Sequence, residues 1–159
     1  MASINGVTVK ALKSFKDHEG MDILQGNVYL NGKKLGFWSQ DAWCGPDHFG
    51  FNEKLLADAV ESYKQSDKVA SEYKEIFNSE LLMFELIKLI DAEKAYKKCV
   101  KAGYPILVMI ESPVESKGWY LPNKAVLEKN LSQFEKIKSE RQDSVLSIYD
   151  QDTEWDLVV

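Results

Sequence analysis

The dipeptide Asn31-Gly32 is the feature that most restricts how this chain can fold. Both central residues of a type I′ turn need positive φ, so this pair predicts a tight β-hairpin. Segments rich in β-forming residues flank it at residues 23–30 and 34–40, and a third alternating segment covers residues 7–15. We therefore expect a three-stranded antiparallel meander at the amino terminus.

The rest of the chain alternates helical and extended patterns. Apolar residues at helical spacing predict helices over residues 53–65, 79–102 and 123–138, with Asn52 and Ser79 as N-caps and Gly103 just past the second helix. Extended patterns cover residues 104–110, 118–121, 145–149 and 155–158, the last two as a hairpin about residues 150–153. The expected fold is α+β, a mainly antiparallel sheet packed by two or three helices.

Length and composition indicate one globular domain over residues 1–159. Hydrophobic residues make up 45% of the chain and charged residues 28%, enough to bury a real core. The apolar segment that begins at Leu81 is interrupted by Glu85 and Lys88, and the first residues lack a signal-peptide pattern. We therefore expect a protein of the host-cell cytoplasm that contacts no membrane.

The charge balance argues against nucleic acid as a partner. The formal net charge is −5, so the average field repels phosphate backbones. Lys94, Lys97, Lys98 and Lys101 form a local basic stripe, but cations at the end of a helix complement its dipole. We expect no direct contact with nucleic acid.

Cysteine and histidine could form a catalytic dyad or a zinc site. Cys44 and His48 lie four residues apart, Asp47 could orient the histidine, and His18 lies in another loop of the same sheet. The second cysteine, Cys99, falls on a predicted helix, so four zinc ligands do not cluster in sequence. We expect no catalytic residue, metal or cofactor here, although metal binding by the Cys44 loop or by the acidic carboxyl terminus stays open.

An acidic segment surrounds a tryptophan near the carboxyl terminus. Its carboxylates would project to one face if the segment were fully extended. The pattern begins like a calcium-binding EF-hand loop, but Trp155 occupies the position that needs glycine. Either these acids form a solvated edge, or they meet a basic surface of a partner around an apolar anchor. The candidate partner-binding residues are Asp150, Asp152, Glu154, Trp155 and Asp156.

A second candidate surface follows the predicted meander. Trp43 stands in a loop between Asp41 and Asp47, among glycine and proline residues. Of the aromatic residues in this region it is the best candidate for exposure, although burial in the core is the favoured interpretation. An exposed tryptophan beside acids indicates a protein-binding tip, so Asp41, Trp43 and Asp47 are also candidate partner-binding residues.

Two stretches, SFKDHEGMDILQGNVYLNGKKLGFWSQDAWCGP from Ser14 and ELLMFELIKLIDAEKAYKKCVKAGYPILVMI from Glu80, resemble small accessory proteins carried by bacteriophages and other mobile elements. Together they cover part of the chain only. In that group the loop equivalent to residues 41–46 has paired glycines where this chain has Cys44 and Gly45, which implies that Cys44 is no nucleophile. The resemblance also implies an accessory factor that blocks host defence machinery, including CRISPR nucleases.

From these observations we expect a non-enzymatic interaction protein that inhibits a host defence nuclease by binding a basic protein surface. The first alternative is a small metal-dependent or Cys/His hydrolase. The second is a phage structural or assembly component. The sequence leaves the identity of the partner and the oligomeric state open.

Overall fold

The computed structural model describes residues 1–43, 45–112 and 115–159. It confirms the α+β class. In chain order the elements are β1 (Ser3–Ile4), β2 (Val7–Lys16), β3 (Asp22–Leu30), β4 (Lys33–Ser39), β5 (His48–Phe49), α1 (Ala57–Gln65), α2 (Ser79–Lys101), β6 (Ile106–Glu111), β7 (Ser116–Leu121), α3 (Lys124–Ser139), β8 (Val145–Tyr149) and β9 (Asp156–Leu157).

The chain divides into two compact units. The first consists of Met1–Ile90 with Trp155–Val159, and the second of Asp91–Glu154. The strands accordingly form two sheets, with β5-β4-β3-β2-β1-β9 in the first unit and β7-β6-β8 in the second. All neighbours pair antiparallel except β1 and β9, which pair parallel. The organisation as a single domain stays a prediction.

The amino-terminal meander is confirmed. Strands β2, β3 and β4 pair antiparallel, and Asn31 and Gly32 adopt φ values of 48° and 79° in the turn between β3 and β4. A bulge interrupts β2 between Lys10 and Lys13, where Ala11 has a φ of 53°. Gly26 lies opposite the bulge. A Cβ at this position would lie 2.6 Å from Val9 Cγ1, which is too close, so the position favours glycine.

One face of this sheet supports the core of the first unit. Val9, Val28 and Trp38 are buried in that core, and the pairing of Val9 with Val28 and of Gly26 with Trp38 places them on a common face. Leu82 and Leu86 of α2 belong to the same cluster. Helical residues therefore share a core with one side of the meander, as expected for an α+β fold.

The helix boundaries differ in detail from those that the sequence predicts. Asn52 does act as an N-cap, accepting a hydrogen bond from Lys54 N at 3.2 Å, but Glu53–Leu56 is a 3₁₀ turn that precedes α1. Helix α2 is capped by Asn78 rather than Ser79, since Asn78 Oδ1 accepts from Leu81 N at 3.0 Å. In the first half of α2, Leu82 and Leu86 are buried, whereas Phe84 is 55% exposed.

The second unit is built around β6. This strand lies between β7 and β8 and pairs antiparallel with both. Asn123 caps α3, accepting from Val126 N at 2.9 Å, and Phe134 of α3 packs with Ile106, Val108 and Ile110. This core is built from fewer strands than that of the first unit.

The predicted hairpin between the last two strands is wrong. Strand β8 pairs with β6 in the second unit, whereas β9 pairs parallel with β1 in the first. The turn residues at 150–153 indicated a hairpin, but turn residues do not determine whether the strands on either side pair with each other. No helix in the described part of the chain is long and apolar enough to cross a membrane.

Candidate functional site

The tryptophan loop, residues 41–43 and 45–47 between β4 and β5, presents the most exposed aromatic ring of the described first unit. Trp43 is 72% exposed. Large aromatic side chains are usually covered when a chain folds, so a tryptophan left this open is informative. Cys44, the candidate nucleophile and zinc ligand, lies outside the described residues.

Asp41 shapes the base of the tryptophan loop. Its Oδ1 accepts a hydrogen bond from Trp43 N at 2.5 Å, as aspartate does when it initiates a turn. A Cβ at Gly45 would lie 3.1 Å from Asp41 Oδ2, so the chain passes close to this carboxylate. The Asp41 side chain therefore fixes the backbone that carries Trp43.

His18 holds the indole ring of Trp43. The two ring centroids are 4.4 Å apart, with the ring planes at 45°. His18 lies in the turn between β2 and β3, where Asp17 Oδ1 accepts from Glu19 N at 2.9 Å and from Met21 N at 2.8 Å. The contact orients Trp43 while leaving it exposed. The sequence indicates His18 only as a metal or catalytic candidate, because nothing in the spacing of residues 18 and 43 indicates that their loops meet.

Asp47 anchors the other end of the tryptophan loop. Its Oδ2 accepts from the indole Nε1 of buried Trp38 at 2.9 Å, and its N–H donates to Glu80 Oε1 at 2.9 Å. Burial raises the pKa of Asp47, the bond from Trp38 opposes that rise, and the negative charges of Glu80 and Asp41 add to it. The Asp47 carboxylate therefore already has an internal partner.

The acidic tail is the segment of residues 150–156, and its first half forms a closed turn in the second unit. Asp150 Oδ1 accepts from Asp152 N at 2.9 Å, and Asp150 N donates to Thr153 Oγ1 at 2.8 Å. The expectation that the acids share one extended face does not hold here, because residues 150–153 are not extended. Asp152 and Glu154 are exposed.

The second half of the acidic tail belongs to the first unit. Trp155 is half-buried, and its carbonyl oxygen accepts from Ser3 N at 2.8 Å. The Ser3 hydroxyl donates to Asp156 Oδ1, and Asn5 N donates to Leu157 O at 2.7 Å. Trp155 and Asp156 thus attach the end of the chain to its beginning. The structure divides the five predicted tail residues between the two units.

The remaining cysteine and histidine candidates are separated. Cys99 is buried on α2, and burial raises the pKa of its thiol, which disfavours the reactive thiolate. His48 is exposed on β5. Within residues 1–43, 45–112 and 115–159, no group of three or more His, Cys, Asp or Glu side chains is placed to hold a metal ion.

Two of the four lysines in the basic stripe have ion-pair partners on α2 itself. Lys94 contacts Asp91 at 3.1 Å and Lys97 contacts Glu93 at 2.6 Å. Gly103, with a φ of 89°, ends the helix as predicted. These contacts agree with a structural interpretation of the stripe.

Comparisons with protein-family models, with curated proteins and with solved structures found no match to this chain.

Proposed function

We propose that this chain is a non-enzymatic interaction protein that binds a basic surface of a partner protein through the tryptophan loop. The observation that carries the proposal is Trp43, which is 72% exposed yet held by the Asp41 turn and by His18. A ring that is already oriented loses little conformational entropy on binding. Tryptophan is also among the residues most enriched at the energetic centre of protein interfaces.

The exposed ring of Trp43 is large enough to supply a substantial part of a binding free energy. A tryptophan side chain can bury roughly 200 Å², so covering its exposed part would contribute about 3 kcal/mol of hydrophobic free energy. That amount corresponds to a change of more than a hundredfold in affinity. The Asp41 carboxylate beside it favours a partner surface that carries lysine or arginine.

The partner we propose is a host defence nuclease of the CRISPR type, inhibited by occupation of its basic surface in the host-cell cytoplasm. A net charge of −5 complements a surface that binds nucleic acid. The resemblance to small accessory proteins of bacteriophages supports this class of partner. The chain would then act by competing for a groove, without chemistry of its own.

The exposed acids Asp152 and Glu154 would assist by steering. Attraction between exposed charges is screened over about 8 Å at physiological ionic strength, so it acts mainly on the association rate. Asp152→Asn combined with Glu154→Gln should slow association and weaken its dependence on salt. An unchanged rate at low salt would exclude these two residues from the interface.

A pull-down from bacterial host lysate tests the proposal. The tagged chain should capture a stoichiometric protein, and Phe84→Ala should capture it equally well, because Phe84 is an exposed ring on α2 outside the loop. Trp43→Ala should lose it. Retention of the same partner by Trp43→Ala would contradict the proposed surface.

A second arm of the experiment separates binding from catalysis. If the protein acts by binding, Cys44→Ala and His48→Ala should each keep the partner and the inhibitory effect. A hydrolase that uses this pair would lose its effect in both variants while remaining folded, which circular dichroism would show.

A further inference from the structure

The outer face of the meander, the side opposite the core, is the second surface with a distinctive chemistry. Residues directly opposite each other in an antiparallel sheet project to the same face. The buried pair of Val9 and Val28 projects into the core. Three other pairs project to the other face of the sheet: Thr8 with Tyr29, Lys10 with Asn27, and Lys13 with Gln25. Strand β4 adds Lys34, Phe37 and Ser39 to this face, and the pair of Phe15 with Ile23 lies on it as well.

Charge on the outer face is of one sign. Lys10, Lys13 and Lys34 are exposed on it, and the three strands place no carboxylate there among their described residues. Asp22, the acid of β3, belongs to the opposite side of the sheet and pairs with Lys16 at 2.9 Å. A chain with a net charge of −5 thus keeps one locally cationic face.

Aromatic rings alternate with these lysines. Phe15 is 42% exposed and Phe37 is 40% exposed, on the two outer strands of the three. Tyr29 lies on the strand between them, with Lys10 Nζ 4.6 Å from its ring centroid. The amide side chains of Gln25 and Asn27 occupy the same strand and face. Rings, amides and cations together are the groups that bases and phosphates contact.

The net charge argues against nucleic acid as a partner of the chain as a whole, but the outer face is locally cationic, and we propose that it binds single-stranded nucleic acid. Lysines would contact phosphates while bases stack on Phe37 and Tyr29, the combination by which proteins hold single strands without reading sequence. These two residues are diagonal neighbours on adjacent strands, roughly 8 Å apart at their backbones, which suits successive bases of an extended strand. The face carries stacking rings as well as charge, which favours a nucleic acid over an acidic peptide.

Fluorescence anisotropy of the full chain tests this surface, with labelled oligothymidylate and oligouridylate of about 12 nucleotides as probes. Both should bind at low salt. Phe37→Ala should weaken binding about fivefold or more, whereas Phe37→Tyr, which keeps a ring, should bind like the wild type. Replacing Lys10, Lys13 and Lys34 together by glutamine should reduce the slope of log affinity against log salt by about 2.

Helix α2 supplies a matched control, since Phe84 is exposed and Lys88 Nζ lies 5.5 Å from its ring centroid. Phe84→Ala and Lys88→Gln should leave oligonucleotide binding unchanged. The proposal is overturned if neither probe binds at low salt, or if the control variants weaken binding as much as Phe37→Ala does. It is equally overturned if duplex DNA or polyglutamate competes as well as a single strand, because stacking would then play no part.

Discussion

The tryptophan loop and the acidic tail have the same kind of sequence, a tryptophan among aspartates, yet the structure uses them differently. In the loop, hydrogen bonds to Asp41 and Asp47 hold the backbone while Trp43 stays 72% exposed. In the tail, Trp155 is half-buried and Asp156 accepts from Ser3, so the segment joins β9 to β1. The difference shows that burial and contacts, rather than composition, separate an exposed tryptophan that is free to meet a partner from one that holds the fold together.

Of the substitutions that compare the loop with the tail, Trp38→Ala should lower stability most. The Trp38 side chain lies in the core and supports the loop from inside. Trp38→Ala should lower the free energy of unfolding by about 3 to 5 kcal/mol, as large-to-small core changes do. It also removes the donor to Asp47. Chemical denaturation would measure the loss, and a loss below that of Trp155→Ala would contradict the assigned core.

The same substitution should destabilise the protein much more at Trp155 than at Trp43. Trp155→Ala should cost about 2 kcal/mol of stability, roughly half the value for a fully buried ring. Trp43→Ala should change stability by less than about 0.5 kcal/mol, as exposed positions do. Thermal melts of the two variants side by side test this, and equal destabilisation would remove the distinction between loop and tail.

The bond between Ser3 and Asp156 gives a smaller test of the tail. Ser3 is only 5% exposed, so Ser3→Ala should lower stability by about 1 kcal/mol or somewhat more, since its acceptor is charged. Ser14→Ala is the matched control, because Ser14 makes an exposed contact with Asp22 at 3.4 Å. An equal effect of both changes would show that the Ser3 hydroxyl does not help to attach the tail.

The pH dependence of stability should distinguish Asp47 from an exposed aspartate. The pKa of Asp47 is raised above 3.8, so the folded state binds more protons there than the unfolded state. Its contribution to stability is therefore largest at low pH and falls as pH rises through the folded pKa. The difference in unfolding free energy, wild type minus Asp47→Asn, should decrease between about pH 3 and pH 7.

Asp22 supplies the control of opposite sign. Its hydrogen bond and charge pairing with Lys16 lower its pKa. The corresponding difference for Asp22→Asn should therefore increase with pH below about pH 5 and then stay constant, since the stabilising pair is lost only as Asp22 is protonated. A parallel course for the two variants would mean that Asp47 does not occupy the partly buried position beside Trp38.

Local signals in the sequence predicted local structure well. Asn31-Gly32 and Gly103 adopt positive φ as predicted, and Asn52 is an N-cap as predicted, because those preferences depend on a few neighbouring residues. Long-range contacts escaped prediction. The pairing of β9 with β1 joins residues more than 150 positions apart, and the contact of His18 with Trp43 joins two loops. Neither leaves a trace in spacing or periodicity.

The sequence indicated which residues belong to the candidate site better than it indicated how they are arranged. The loop position made Trp43 the best aromatic candidate for exposure, but the favoured prediction was burial in the core, and that is wrong because the ring is 72% exposed. The internal bonds of Asp47 and Asp156 were not predicted, because donors from distant elements decide them. Charge alone could not tell a solvated carboxylate from one that holds the fold together.

The most direct test of the account is the affinity of the captured partner for three forms of the chain: wild type, Trp43→Ala and Phe84→Ala. Biolayer interferometry on the purified pair should show at least about tenfold weaker binding for Trp43→Ala, mainly through faster dissociation. Phe84→Ala should bind as the wild type does, although its ring is also exposed. Unchanged affinity of a folded Trp43→Ala variant would contradict the central claim that the tryptophan loop is the binding surface.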